Sequence, residues 1–153
     1  GLRVTADLRG YCWGGSQALG GRPDAWRCTG ENRILDPCFE AGAPETTALA
    51  CSASPWSDEI VLLTLTAPLP RERANAPGGT MPHPWAIQLA SGVRCQIATG
   101  ATATVAGLRV NATCSDGSAT LGDLDRGRAR WRVFVMRDNS PTLEQQEIVA
   151  AWY

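Results

Sequence analysis

Trp85-Ala86-Ile87-Gln88-Leu89-Ala90-Ser91-Gly92-Val93-Arg94-Cys95-Gln96-Ile97 is the stretch whose reading decides the fold. Trp85, Ile87 and Leu89 alternate with Ala86, Gln88 and Ala90, and Val93, Cys95 and Ile97 alternate with Arg94, Gln96 and Ala98. A period of two is that of a half-buried strand. A two-residue Ser91-Gly92 turn would pair Leu89 with Arg94 and send the two apolar sets to opposite faces. A three-residue loop, Ala90-Ser91-Gly92, pairs Leu89 with Val93, Ile87 with Cys95 and Trp85 with Ile97. The longer turn is therefore expected, with Gly92 left-handed.

Working outward, residues 102–114 read as a further strand with Leu108, Val110, Ala112 and Cys114 on one face. Residues 130–137 alternate again, Trp131, Val133 and Val135 standing opposite Arg130, Arg132 and Phe134. A closing strand is expected through Ile148-Val149-Ala150-Ala151-Trp152, with helix as the alternative. Upstream, Ile60-Val61-Leu62-Leu63-Thr64-Leu65 is apolar on both faces, as in a central strand. Residues 67–84 hold five prolines and form a long surface loop or a subdomain boundary. Residues 1–56 are rich in glycine, proline and polar residues, with one short helix expected around Arg22-Pro23-Asp24-Ala25-Trp26-Arg27. The expected fold is mainly β, a small antiparallel barrel or sandwich with a disulfide-stapled irregular N-terminal lobe carrying that helix. The expected organisation is a single domain, 1–153, with the lobe at about 1–56 and the β core at about 57–153.

A chain of 153 residues can bury roughly 70% of its unfolded surface, enough for a real core. A net charge of −1 supplies no global field for nucleic acid or an anionic membrane, so no nucleic-acid partner is expected. All 14 basic residues are arginine, a bias that fits high-GC bacterial coding. The apolar run at 60–65 is too short to span a bilayer, so no transmembrane segment is expected. Gly1-Leu2-Arg3 lacks a signal pattern, and the chain is expected to begin after a removed signal or anchor.

Six cysteines occur: Cys12, Cys28, Cys38, Cys51, Cys95 and Cys114. Zinc knuckles bring ligands together as C-x₂₋₄-C; no such spacing occurs here, and there is one histidine, so no metal site is expected. An even count in an unspaced pattern reads as three disulfides and hence as export to an oxidising compartment, extracellular or in the cell envelope. Sequence leaves 15 connectivities open; sequential pairing, Cys12–Cys28, Cys38–Cys51 and Cys95–Cys114, is the expectation. Each bridge would contribute roughly 3 kcal/mol through loop closure.

No motif brings catalysis with it. Gly10-Tyr11-Cys12-Trp13-Gly14-Gly15-Ser16 has only the Cys-Trp step of papain-like proteases, and Cys12 reads as a half-cystine. His83 lies between prolines as an exposed loop residue, and Ser16 lacks a G-x-S-x-G elbow. Asp123-Leu124-Asp125-Arg126-Gly127 carries fragments of a calcium loop without its bidentate glutamate and reads as a polar turn. Asn111-Ala112-Thr113 matches a glycosylation acceptor by chance. Arg126, Arg128, Arg130 and Arg132 recur at every second position, so an extended strand would set four guanidiniums on one face. Such a ridge suits phosphate or carboxylate, although a solvated face balanced by Asp and Glu is the plainer reading. Of the six tryptophans, Trp85, Trp131 and Trp152 fall on apolar strand faces and read as core, whereas Trp13, Trp26 and Trp56 lie where exposure is expected. The expected binding residues are Trp13, Trp26, Arg27, Arg128, Arg130 and Arg132, with no cofactor.

Arg22-Pro23-Asp24-Ala25-Trp26-Arg27-Cys28, then Asp36-Pro37-Cys38-Phe39, and later residues 85–95, together resemble uncharacterised exported domains of high-GC bacteria. The resemblance implies an envelope or secreted location and transfers no activity. The functional expectation is an extracytoplasmic binding or sensing module of the bacterial envelope, with a glycan, peptide or protein as partner. Its rivals are a secreted hydrolase of envelope glycan or peptide and a secreted inhibitor or structural envelope protein. Enzymatic action is the less favoured reading.

Overall fold

The computed structural model of the protein describes residues 1–41, 46–78, 83–138 and 140–153. The chain divides into two compact units, Gly1–His83 and Pro84–Tyr153. The boundary falls at the end of the proline-rich segment, so the strand at 60–65 belongs to the N-terminal unit.

That unit is not the irregular lobe expected of residues 1–56. It is a closed five-stranded barrel of β1 (Arg3–Gly15), β2 (Ala25–Gly30), β3 (Arg33–Glu40), β4 (Ala48–Cys51) and β5 (Glu59–Leu65). Successive strands are antiparallel. Five is odd, so an up-and-down run can close only by pairing its first and last strands parallel, and β1 and β5 do so from Arg3↔Glu59 to Gly10↔Leu65. The glycines that made this region look irregular sit inside it. Gly10 faces Gly30 across β1 and β2, and a Cβ on Gly10 would lie 1.8 Å from the Thr29 carbonyl oxygen. They mark close backbone approach, one of the uses of glycine within a strand.

The helix expected around Arg22 is absent. A turn closes with the Ala25 N–H donating to the Arg22 carbonyl at 3.4 Å. Arg22 grips Asp24 through two hydrogen bonds of 3.0 and 2.6 Å, and β2 begins at Ala25. Strand pairing wins because Trp26 and Cys28 must both reach the core, where each is fully buried. Around them pack Leu8, Cys12, Cys38, Leu49, Cys51 and Leu63. The segment after β5 is bound to the barrel: Leu69 and Ala74 pack on its core. The Asn75 amide N–H donates to the Ser16 and Leu19 carbonyls at 2.9 and 3.1 Å.

The C-terminal unit is built from β6 (Ala86–Leu89), β7 (Arg94–Ile97), β8 (Thr104–Val105), β9 (Leu108–Cys114), β10 (Ala119–Asp125), β11 (Arg132–Met136) and β12 (Leu143–Trp152). β6, β7, β9, β10, β11 and β12 form a ring whose every pairing is antiparallel, as an even number permits, and β8 pairs beside β9. The β6–β7 hairpin has the expected register: Ile87 faces Cys95, the Leu89 N–H donates to the Val93 carbonyl at 2.9 Å, and Gly92 has φ +87°. The expected closing strand is β12, which pairs with β11 along its first half and with β6 along its second. The single strand expected at 102–114 is instead a hairpin, broken by Ala106 and Gly107 at φ +51° and +75°. Its core gathers Ile87, Leu89, Cys95, Ala112, Val133, Val135 and Ile148.

All three disulfides have the sequential pairing. Each joins residues directly opposite on neighbouring strands, Cys12↔Cys28, Cys38↔Cys51 and Cys95↔Cys114. Three such bridges are consistent with an extracellular location. Among the described residues, no helix is long and apolar enough to cross a membrane.

Candidate functional site

The expected binding residues separate into two groups. In the N-terminal unit, Trp26 is a core residue and not a surface one: its ring is fully buried. Its indole N–H donates to Glu40 Oε1 at 2.7 Å. Arg71 holds the same carboxylate at 2.7 and 2.8 Å and lies over the ring at 5.7 Å. Trp13 and Arg27 do meet, the guanidinium 5.8 Å from the indole centroid. Arg27 is committed to structure, however. It donates to Asp36 Oδ2 at 2.7 Å, and the two side chains are 11% and 2% exposed. Asp36 also accepts the Ser16 hydroxyl and, at 3.0 Å, the Gln17 N–H. Ser16 in turn accepts the Leu19 N–H at 3.0 Å. This network consumes Ser16 as a loop tie.

In the C-terminal unit the four alternate arginines do not form the expected ridge, because only Arg132 lies in a strand. A register shift between Leu121 and Asp125 in β10, with Gly122 at φ +69°, precedes a bend that takes in Arg126, Arg128 and Arg130. Arg126 is stacked over Trp131 at 4.7 Å. Arg128 reaches Asp125 at 3.3 Å, and Arg130 and Arg132 share Glu147 at 3.1 and 3.2 Å. These guanidiniums, Arg130 first, hold the Glu147 carboxyl below its ordinary range. Asp125 also accepts the Gly127 N–H at 3.1 Å, the polar turn expected there.

The bend and β12 border an open, shallow cleft of about 450 Å³, lined by residues 129–131 and 148–151. Trp131, expected in the core, packs against that core with part of its surface and contributes the rest to the cleft wall. Val149 is 56% exposed at a bulge, where the β12–β6 register slips between Ile148 and Ala150. An aromatic face, a short aliphatic floor and a guanidinium rim meet here. That combination can hold a small or extended ligand carrying apolar groups and negative charge. Trp131, Arg126, Ile148 and Val149 were outside the expected binding set. The run of arginines pointed to the neighbourhood, but the bulge that opens the cleft has no local sequence signal.

Elsewhere, Asn111 donates to the Gly122 carbonyl at 2.7 Å, part-buried between β9 and β10. Cys12 is disulfide-bonded, and His83 is exposed. Among the described residues, no group of three His, Cys, Asp or Glu side chains is placed to hold a metal ion. No family model matches the chain, and no curated protein or solved structure is significantly similar to it.

Proposed function

We propose that the chain is an extracytoplasmic binding module of the bacterial cell envelope, with its ligand held in the Trp131 cleft. The observation that carries this reading is an open cleft of about 450 Å³ lined by both Trp131 and Arg130, with Arg126 stacked over Trp131. Three core-facing disulfides support an oxidising location outside the cytoplasm. The Trp13–Arg27 face ranks second, since its arginine is already spent on Asp36.

The test is a thermal-shift and tryptophan-fluorescence screen of the full chain against envelope glycan fragments, short peptides and polyphosphate. Saturable stabilisation without product, lost in Arg130→Ala and in Trp131→Leu while the circular dichroism stays native, is the expected result. Product formation would move the chain to the hydrolase reading. Binding that survives both substitutions would remove the ligand from this cleft. Capture of a protein alone, without any small-ligand shift, would favour the inhibitor or structural reading.

A further inference from the structure

The Trp131 cleft offers a ligand one charge beside a hydrocarbon wall. Among the described residues that line it, Arg130 alone is charged, and Trp131, Ile148, Val149 and alanines supply the rest. Arg130 is lightly committed: its side chain is 70% exposed, and it donates from Nη1 to Glu147 Oε2 at 3.1 Å. A guanidinium has five N–H donors in a planar fork, two of which can meet one carboxylate side by side. The other Glu147 oxygen, Oε1, is held by Arg132 at 3.2 Å. Glu147 therefore keeps a partner when Arg130 turns to a ligand, and the three groups together carry one positive charge.

We infer that the cleft takes an aliphatic monocarboxylate, with its carboxylate on Arg130 and its hydrocarbon tail along Trp131 and Val149. The inference rests on reading this cleft as the binding site. One negative charge neutralises the group of Arg130, Glu147 and Arg132, whereas a polyphosphate would bring charge that no other residue of the lining meets. A stacked sugar needs an open aromatic face, and Arg126 already stands over the Trp131 ring at 4.7 Å. Val149, 56% exposed at the bulge, gives a tail apolar surface to cover, and each methylene taken out of water there adds to affinity. A cleft of about 450 Å³ has room for a short chain.

The probe is sodium octanoate, titrated into the isotopically labelled full chain and followed by amide shifts, with acetate and 1-octanol standing for its two halves. Saturable shifts at residues 129–131 and 148–151 are expected, with a Kd on the order of 1 mM or tighter. Acetate and 1-octanol should each bind about tenfold more weakly or not at all. Arg130→Gln should weaken octanoate by about tenfold and Val149→Ser by several-fold. Both side chains are largely exposed, so both variants should keep native spectra. Octanoate that binds no better than acetate, or no better than 1-octanol, would overturn the pairing of head and tail. Octanoate binding that is unchanged in both variants would place it elsewhere and sink the inference as well. Shifts at Trp131 with glycan fragments, short peptides or polyphosphate, but none with octanoate, would overturn this inference and leave the cleft as a binding site. No response of these residues to any probe would remove both.

Discussion

The buried ion pair in the N-terminal unit makes the most demanding prediction. Asp36 is 2% exposed and accepts from Arg27, Ser16 and the Gln17 N–H, so Asp36→Ala strands a guanidinium, a hydroxyl and an amide at once. Breaking one side of a buried pair costs about 3–5 kcal/mol, because the remaining charge stays desolvated without its partner. For a unit of this size each kcal/mol lowers Tm by roughly 4–8 °C, so even the lower bound moves the transition by more than about 10 °C. Asp36→Asn, which keeps an acceptor for Ser16, should lose less. Adding Arg27→Met to Asp36→Ala should recover part of the loss, with a coupling of about 1–3 kcal/mol between the two sites. The measurement is denaturant unfolding of the full chain together with amide exchange. Exchange should accelerate in β2 and β3 and not in β9 to β12. A loss below about 1 kcal/mol in Asp36→Ala, or loosening spread equally over both units, would refute the assignment of this network as a tie that holds the barrel's entry loop.

Three further outcomes are expected. Under native conditions a mild reductant should open Cys95–Cys114 first, read by alkylation and mass spectrometry, because Cys114 is half-buried while Cys12, Cys28, Cys38 and Cys51 are all in the core; this reverses the order that an irregular N-terminal lobe would give. Gly10→Ala should destabilise the N-terminal unit at or beyond the upper end of the usual overpacking range of about 1–3 kcal/mol, since the added methyl meets backbone, 1.8 Å from the Thr29 oxygen. Glu147 has its folded pKa depressed by Arg130 and Arg132, so its stabilising contribution is present above the unfolded value and disappears as pH falls through the lower folded one. Glu147→Gln should accordingly flatten the acid limb of Tm against pH in the C-terminal unit, and an unchanged limb would count against the shared contact.

How far these features were legible in the sequence depends on the range over which each is determined. The β6–β7 hairpin is fixed by thirteen consecutive residues and a glycine, and its register followed from keeping one face apolar. Cys12–Cys28 and Cys38–Cys51 join strands that are neighbours in sequence, β1 with β2 and β3 with β4, whereas Cys95–Cys114 joins β7 to β9, a pairing that no local pattern singles out among the 15 connectivities. The N-terminal barrel was hidden by Gly10 and Gly30, which look like breakers until the opposing strand is known. Trp26 and Trp13 belong to the same cysteine-rich region, yet one is fully buried and the other only half-buried, and register shifts interrupt β1 and β2 near Cys12 and Cys28. The arginine run was visible, but its period of two held only if residues 126–132 stayed extended, and the shift in β10 prevents that. The cleft depends on a slip of β12 against β6, two strands from opposite ends of their unit, which no window along the chain can contain.

The parallel seam between β1 and β5 bears on how the chain is made. A chain that emerges from its N-terminus presents Cys12 and Cys28, 16 residues apart, before Cys38 appears, and then Cys38 and Cys51, 13 apart, before any of β5. Each cysteine meets its correct partner while no later one is available to compete. Oxidation can thus run in step with emergence, and the seam is left for the end, since β1 waits with its edge at residues 3–10 unpaired until residue 65 is delivered. In an oxidising compartment this chain order would let covalent pairing be settled hairpin by hairpin, on the β1–β2 and β3–β4 ladders, before the bridge-free β1–β5 ladder can close.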